Sequence, residues 1–160
     1  DAAQELLGDQ VYRPLAAERV RMLREQEIKA GLDDKGAYLE FGMWVARIKS
    51  DITDFIRQEV AVGKKVYVYG ASTKGNTLLQ YFGLDHALIT AAAERNPDKW
   101  GRVTVGTHIP IVSEEQARAA KPDYFLVLPW HFAEEFKRRE RDYLKAGGRF
   151  ILPAPHFILI

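Results

Sequence analysis

The chain has 160 residues, 47% of them hydrophobic, enough for one domain with a real core and some appended helix. Its 23 Lys and Arg against 22 Asp and Glu leave a net charge of +1, which gives no electrostatic footprint for nucleic acid. The absence of cysteine excludes a disulfide framework and a Cys-based zinc site, and no apolar run approaches the roughly 18 residues that span a membrane. With no signal-peptide pattern, a cytoplasmic protein is expected. An opening at Asp1, within a stretch that reads as helix, is read as a piece of something longer.

Residues 1–62 read as helical. A charged helix from about Pro14 to Ala30 has a thin apolar stripe, Leu15, Val20 and Leu23, and Gly31 is a plausible stop. Tyr38, Phe41, Val45, Ile48, Ile52 and Phe55 then recur at steps of three and four, one apolar face that can pack on a sheet. From Lys65 strands and helices alternate: Val66–Tyr69, a helix over 75–82, a strand over 87–93, and a polar loop over 95–110. Ser113-Glu-Glu-Gln116 is a capping box that opens a short helix. Tyr124–Leu128 reads as a strand buried on both faces. A helix over 131–145 is expected to bury Phe132, Phe136 and Tyr143, with Glu134–Arg138 and Glu135–Arg139 pairs on its wet face. Gly147-Gly148 ends it, and Phe150–Leu152 and Phe157–Ile160 are the last strands. Such alternation predicts an α/β, Rossmann-like three-layer domain over 63–160 with a mostly parallel sheet, preceded by N-terminal helices over 1–62.

The segment Lys65-Val-Tyr-Val-Tyr-Gly-Ala-Ser-Thr-Lys-Gly-Asn-Thr77 is a strand, a tight glycine loop and a helix start. Unpaired N–H groups at a helix N-terminus favour phosphates and carboxylates. It is not an NTPase phosphate loop, because Asn76 stands where that loop needs a Lys directly after Gly75. Nor is it G-x-G-x-x-G, since Ser72 stands where the second glycine is required. Ligands of open parallel sheets sit outside the carboxyl ends of the strands. Candidates there are Ser72, Thr73, Lys74, Gly75 and Asn76 after the first strand, and Glu94, Arg95, Asn96 and Lys99 after the second. Lys74, Arg95 and Lys99 could neutralise a diphosphate, or the lysines could be solvated surface charges. Glu94, 19 residues past Gly75, stands where a ribose-binding acid could sit. Trp130 and His131 could stack a base or pack the core, and His108 could touch a ligand. The four histidines show no metal-ligand spacing, so no metal is expected, and no nucleophile motif assigns a catalytic residue.

Tyr69-Gly-Ala-Ser-Thr-Lys-Gly-Asn-Thr77, Glu94-Arg-Asn-Pro-Asp-Lys99, Gly106-Thr-His-Ile-Pro-Ile111, Lys121-Pro-Asp-Tyr124, Leu128-Pro-Trp130 and Gly147-Gly-Arg-Phe150 occur in order at suitable gaps. Over about residues 36–155 the set resembles the C-terminal domain of S-adenosylmethionine-dependent sugar C-methyltransferases. Glu94 and His131 depart from that pattern, which has Asp and Asn at these places. The resemblance implies a nucleotide-linked keto-deoxysugar as substrate and a preceding methyltransferase domain as partner. S-adenosylmethionine and the catalytic base would belong to that preceding domain and are not expected on this chain. In the intact enzyme a base would remove the proton beside a keto group, and the enolate would take the methyl group. A free-standing sugar-nucleotide binding module without catalysis, or a domain whose loops contact only a partner, are the competing readings.

Overall fold

The computed structural model describes the backbone of residues 9–160 and the side chains of residues 16–160; the helical reading of residues 1–8 and the side chain of Leu15 lie outside it. Two compact units are found, one up to Val45 and one over Ala46–Ile160, so the break falls inside a helix. In the first unit, α1 covers Asp9–Lys29 and α2 starts at Lys35. The apolar residues Val20, Leu23, Tyr38 and Phe41 are exposed there, so the stripe read along α2 divides. Its second half, up to Ala61, buries Ile48, Ile52 and Ile56 in the second unit.

That second unit holds β1 (Val66–Tyr69), α3 (Thr73–Phe82), β2 (Ala91–Glu94), β3 (Ile111–Ser113), α4 (Glu114–Ala119), β4 (Tyr124–Val127), α5 (Ala133–Arg139), α6 (Arg141–Lys145), β5 (Arg149–Leu152) and β6 (Ile158–Leu159). The six strands form one sheet in the order β3-β2-β1-β4-β5-β6, parallel except for β6. The α/β reading with a mostly parallel sheet holds, and β1 lies at its centre. Every residue of β1 and β4 is buried, which is why both read as unbroken apolar runs. Because strand side chains alternate, Tyr67, Tyr69, Phe125, Val127 and Phe150 share one face with Phe136 of α5 and Ala117 of α4. On the other face Phe55 of α2 meets Tyr124 edge-on at 5.3 Å, and the Tyr124 hydroxyl donates to Glu59 at 2.7 Å. No helix of the described residues is long and apolar enough to cross a membrane.

Four details differ from the sequence reading. β2 starts at Ala91 rather than Ala87, because Asp85 gathers the preceding residues into a turn: its side chain accepts from the Ala87 amide at 2.9 Å and its carbonyl from the Leu88 and Ile89 amides. Ile111–Ser113 is a strand where only a loop end was read, since Pro110 O already accepts from Ala92 and carries the chain alongside β2. The helix expected over 131–145 is a 3-10 turn, Trp130–Phe132, followed by α5 and α6 with a break at Glu140. Glu140 turns inward, 2% exposed, to meet Tyr69 and Arg118, whereas Phe132 is 50% exposed. Its expected pairs are replaced as well: Glu134 bonds Lys137, and Arg139 reaches Glu114.

Candidate functional site

A cleft of about 400 Å³ lies over the carboxyl ends of β1 and β2 and beside the loop that follows β4. This is where strand order reverses, β2 and β3 lying on one side of β1 and β4 on the other, the place where open α/β sheets hold ligands. Two glycines let its walls approach. Gly70 has φ +91°, and a Cβ on it would lie 3.0 Å from Pro129, so the β1 loop closes against the β4 loop only without a side chain. A Cβ on Gly75 would lie 2.6 Å from Leu128, so α3 needs that glycine to seat its first turn beside the end of β4. Ser72 caps this helix, its hydroxyl accepting from the Gly75 amide at 3.0 Å. Ser72→Ala is expected to cost about 1 kcal/mol in chemical denaturation, the usual loss of a cap.

Glu94 ties the two loops together. Its Oε1 accepts from the Arg95 and Asn96 amides at 2.9 and 3.0 Å, and its Oε2 from the Ala71 amide at 3.1 Å and Lys99 Nζ at 3.0 Å. Lys99 also donates to Ala71 O at 2.9 Å. A carboxylate offers about four lone-pair directions, and this one uses all of them within the chain. Burial pushes the Glu94 carboxyl up, but the Asn96 amide, the Lys99 ammonium and the Ala71 amide outweigh it and hold the group below its ordinary range. A depressed folded-state value contributes stability that is complete above the unfolded carboxyl value, about 4.3, and is lost as pH falls through the folded one. The gap in melting temperature between the unaltered chain and Glu94→Gln should thus be constant between about pH 5 and 8 and close in stronger acid. A gap unaffected by acid would show that the charge on Glu94 does not matter.

A second polar cluster borders the cleft. Arg139 donates to both oxygens of Glu114 at 2.7 and 2.6 Å, with its guanidinium 5.9 Å from the centre of the Tyr69 ring. Beneath it the Tyr69 hydroxyl donates to Glu140 at 2.8 Å, and Arg118 reaches the same oxygen at 2.7 Å. Burial first, and then Glu140, push the Tyr69 phenol far above the usual tyrosine range, so it remains a donor.

Of the residues singled out in the sequence, Ser72, Glu94, Arg95 and Lys99 line the cleft. Thr73 and Lys74 are exposed in the first turn of α3, Gly75 is buried there, and Asn76 has its Oδ1 enclosed without a protein partner among the described residues. Asn96 is spent locally, its Oδ1 accepting from the Asp98 amide at 3.0 Å. Trp130 and His131, with rings 6.0 Å apart, sit in the 3-10 turn, but Pro129 and Phe132 on either side of them line the cleft instead. His108 does not converge with the others. It follows Thr107, whose carbonyl accepts from His86 ahead of β2, and its ring lies 6.4 Å from that of His86, so it belongs to the opposite edge of the sheet. The cleft residues Glu114, Glu135, Phe136 and Arg139 were not found from sequence. Glu114 and Arg139 are 25 positions apart, and each looked like an ordinary charge on its own helix.

Residues 9–155 match the family described as the C-methyltransferase C-terminal domain. The chain is also 40% identical, over 148 residues, to the C-methyltransferase NovU of Streptomyces niveus. That match covers 92% of this chain and 34% of NovU, so the chain spans about a third of the length of this relative. The fold, the order of its motifs and both matches agree: the chain belongs to the family of C-methyltransferase C-terminal domains.

Proposed function

We propose that this chain is the substrate-side domain of an S-adenosylmethionine-dependent C-methyltransferase, and that it holds a nucleotide-linked keto-deoxysugar at the carboxyl edge of its sheet. The observation that carries this reading is the cleft at the reversal of strand order, with its β1 and β2 loops locked together through Glu94. The methyl donor is assigned to a preceding methyltransferase domain, because the residues of this chain do not fit it. An adenosine ribose at such a strand end is held by an acid on the second strand. Here both oxygens of Glu94 are already filled by four donors of the chain itself.

What the chain contributes is binding and orientation. A substrate fixed in a reactive geometry can be relieved of several kcal/mol of barrier without any catalytic group on the domain that fixes it. The free amides at the start of α3 and the exposed Lys74 beside them suit the phosphates. Lys74→Ala in the full-length enzyme is expected to weaken nucleotide-sugar binding by about 1–3 kcal/mol, the loss of a charge-assisted bond. Its melting temperature should be unchanged, because the side chain is exposed. Unaltered affinity would remove the phosphates from this helix end. The chain by itself is expected to show no calorimetric binding of S-adenosylmethionine at micromolar levels; tight binding would make it the donor domain.

A further inference from the structure

Resting on the nucleotide-sugar reading, we infer that the cleft takes the uncharged, planar base of the nucleotide, and that the diphosphate lies outside it toward the start of α3. Charge decides this first. Lys99 is paired with Glu94 at 3.0 Å, and Arg139 with both oxygens of Glu114. The two charged lining residues left without a partner among the described residues are Arg95 and Glu135, one of each sign. The cleft is therefore close to neutral. A diphosphate placed in it would lose water from several negative charges with a single free cation in return, beside three carboxylates, and burying charge without a partner is costly.

The walls suit a flat ring. Tyr69 and Phe136, almost wholly buried with ring centroids 4.9 Å apart, form an apolar floor, and Pro129 closes the side toward β4. Phe132 stands at the rim, 50% exposed, held by the ring of Phe136 at 6.1 Å and that of His131 at 4.4 Å. A half-exposed phenyl ring fixed at the mouth of a cavity offers a stacking face, and stacking needs no charge. Arg95 can donate to a ring carbonyl and Glu135 can accept from a ring N–H, which matches the mixed edge of a base. The volume, about 400 Å³, falls within the range of small-molecule sites. From there the phosphates reach the free amides of Thr73 and Lys74 next to Ser72.

The test titrates the chain with uridine, thymidine, adenosine and guanosine, with their 5′-diphosphates, and with inorganic pyrophosphate, each at low and high salt. One nucleoside is expected to bind within about 100-fold of its own diphosphate, with little dependence on salt. Excess pyrophosphate should fail to displace it. Phe132→Ala should weaken nucleoside and diphosphate alike by about 5- to 100-fold, Phe132→Trp should retain binding, and neither should shift the melting temperature. Displacement by pyrophosphate, or a silent Phe132→Ala with the diphosphates still binding, would overturn the base assignment and leave the nucleotide reading standing. Failure of every nucleoside and every diphosphate to bind would overturn both.

Discussion

Glu140→Ala is expected to lower the unfolding free energy by about 3 kcal/mol, the lower end of the cost of removing one member of a buried ion pair. Glu140 is 2% exposed, and one of its oxygens receives both the Tyr69 hydroxyl at 2.8 Å and Arg118 at 2.7 Å. The two partners respond differently to its removal. Arg118 has 43% of its side chain exposed and can turn back into water at little cost. The Tyr69 hydroxyl, on a residue 2% exposed in the central strand, has no such escape, and an unsatisfied buried donor costs about 1–3 kcal/mol. The emptied volume beside the Tyr69 hydroxyl adds a cavity cost. Urea unfolding of Glu140→Ala, Tyr69→Phe and the double variant checks this. The double variant should cost clearly less than the sum of the singles, and strictly additive costs would mean that the two groups do not interact. Glu140 stands at the break between α5 and α6, so its loss should also loosen the segment that carries Arg139 to the cleft.

Gly148→Ala is expected to destabilise by about 3 kcal/mol, the upper end of the overpacking range. A Cβ on Gly148 would lie 2.2 Å from two atoms of the Tyr143 ring, so that ring must move. It is not free to do so. Tyr143 packs against Phe125 and Phe150, with centroids 4.8 and 6.0 Å away, and its hydroxyl bonds Asp123 O and Arg149 O at 3.1 and 3.2 Å. Displacing it loses aromatic contacts and hydrogen bonds together. The adjacent Gly147 is needed for another reason: its φ is +96° and nothing lies within 4 Å of the place a Cβ would take. Gly147→Ala should therefore cost only the strain of a left-handed backbone, about 1–2 kcal/mol. Thermal unfolding of the two variants side by side separates them, and equal costs would refute the distinction.

The two glycines show how far the sequence goes. A Gly-Gly pair after a helix announces a stop, and the chain does stop there, but no local pattern says that one glycine serves the backbone and the other clears space for a tyrosine five positions back. The alternation of strands and helices, the buried β4, the cap at Ser113 and the turn from strand to helix at Gly70 were legible, because each follows from periodicity or from hydrogen bonding within a few residues. Ser72, Glu94, Arg95 and Lys99 were placed at the cleft for a related reason: in a parallel sheet the loops after neighbouring strands must lie together.

Tertiary structure alone decided what those residues do. Lys99 read as a free cation, and the fold gives it to Glu94 and Ala71 O. Glu94 read as a ribose acceptor, and four donors from two loops occupy it. Arg139 read as half of a surface pair, and a carboxylate 25 residues away holds it over the cleft. His108 read as a neighbour of the ligand because its motif follows the others in the chain, yet the turn fixed by the Thr104 and Thr107 hydroxyls leaves it with His86 at the far edge. A single sequence records which side chains are available within a helix turn or a strand. Which charge meets which across 20 to 70 residues depends on how strands are ordered and helices laid over them, and that pairing decides which charges the site has left to offer a ligand.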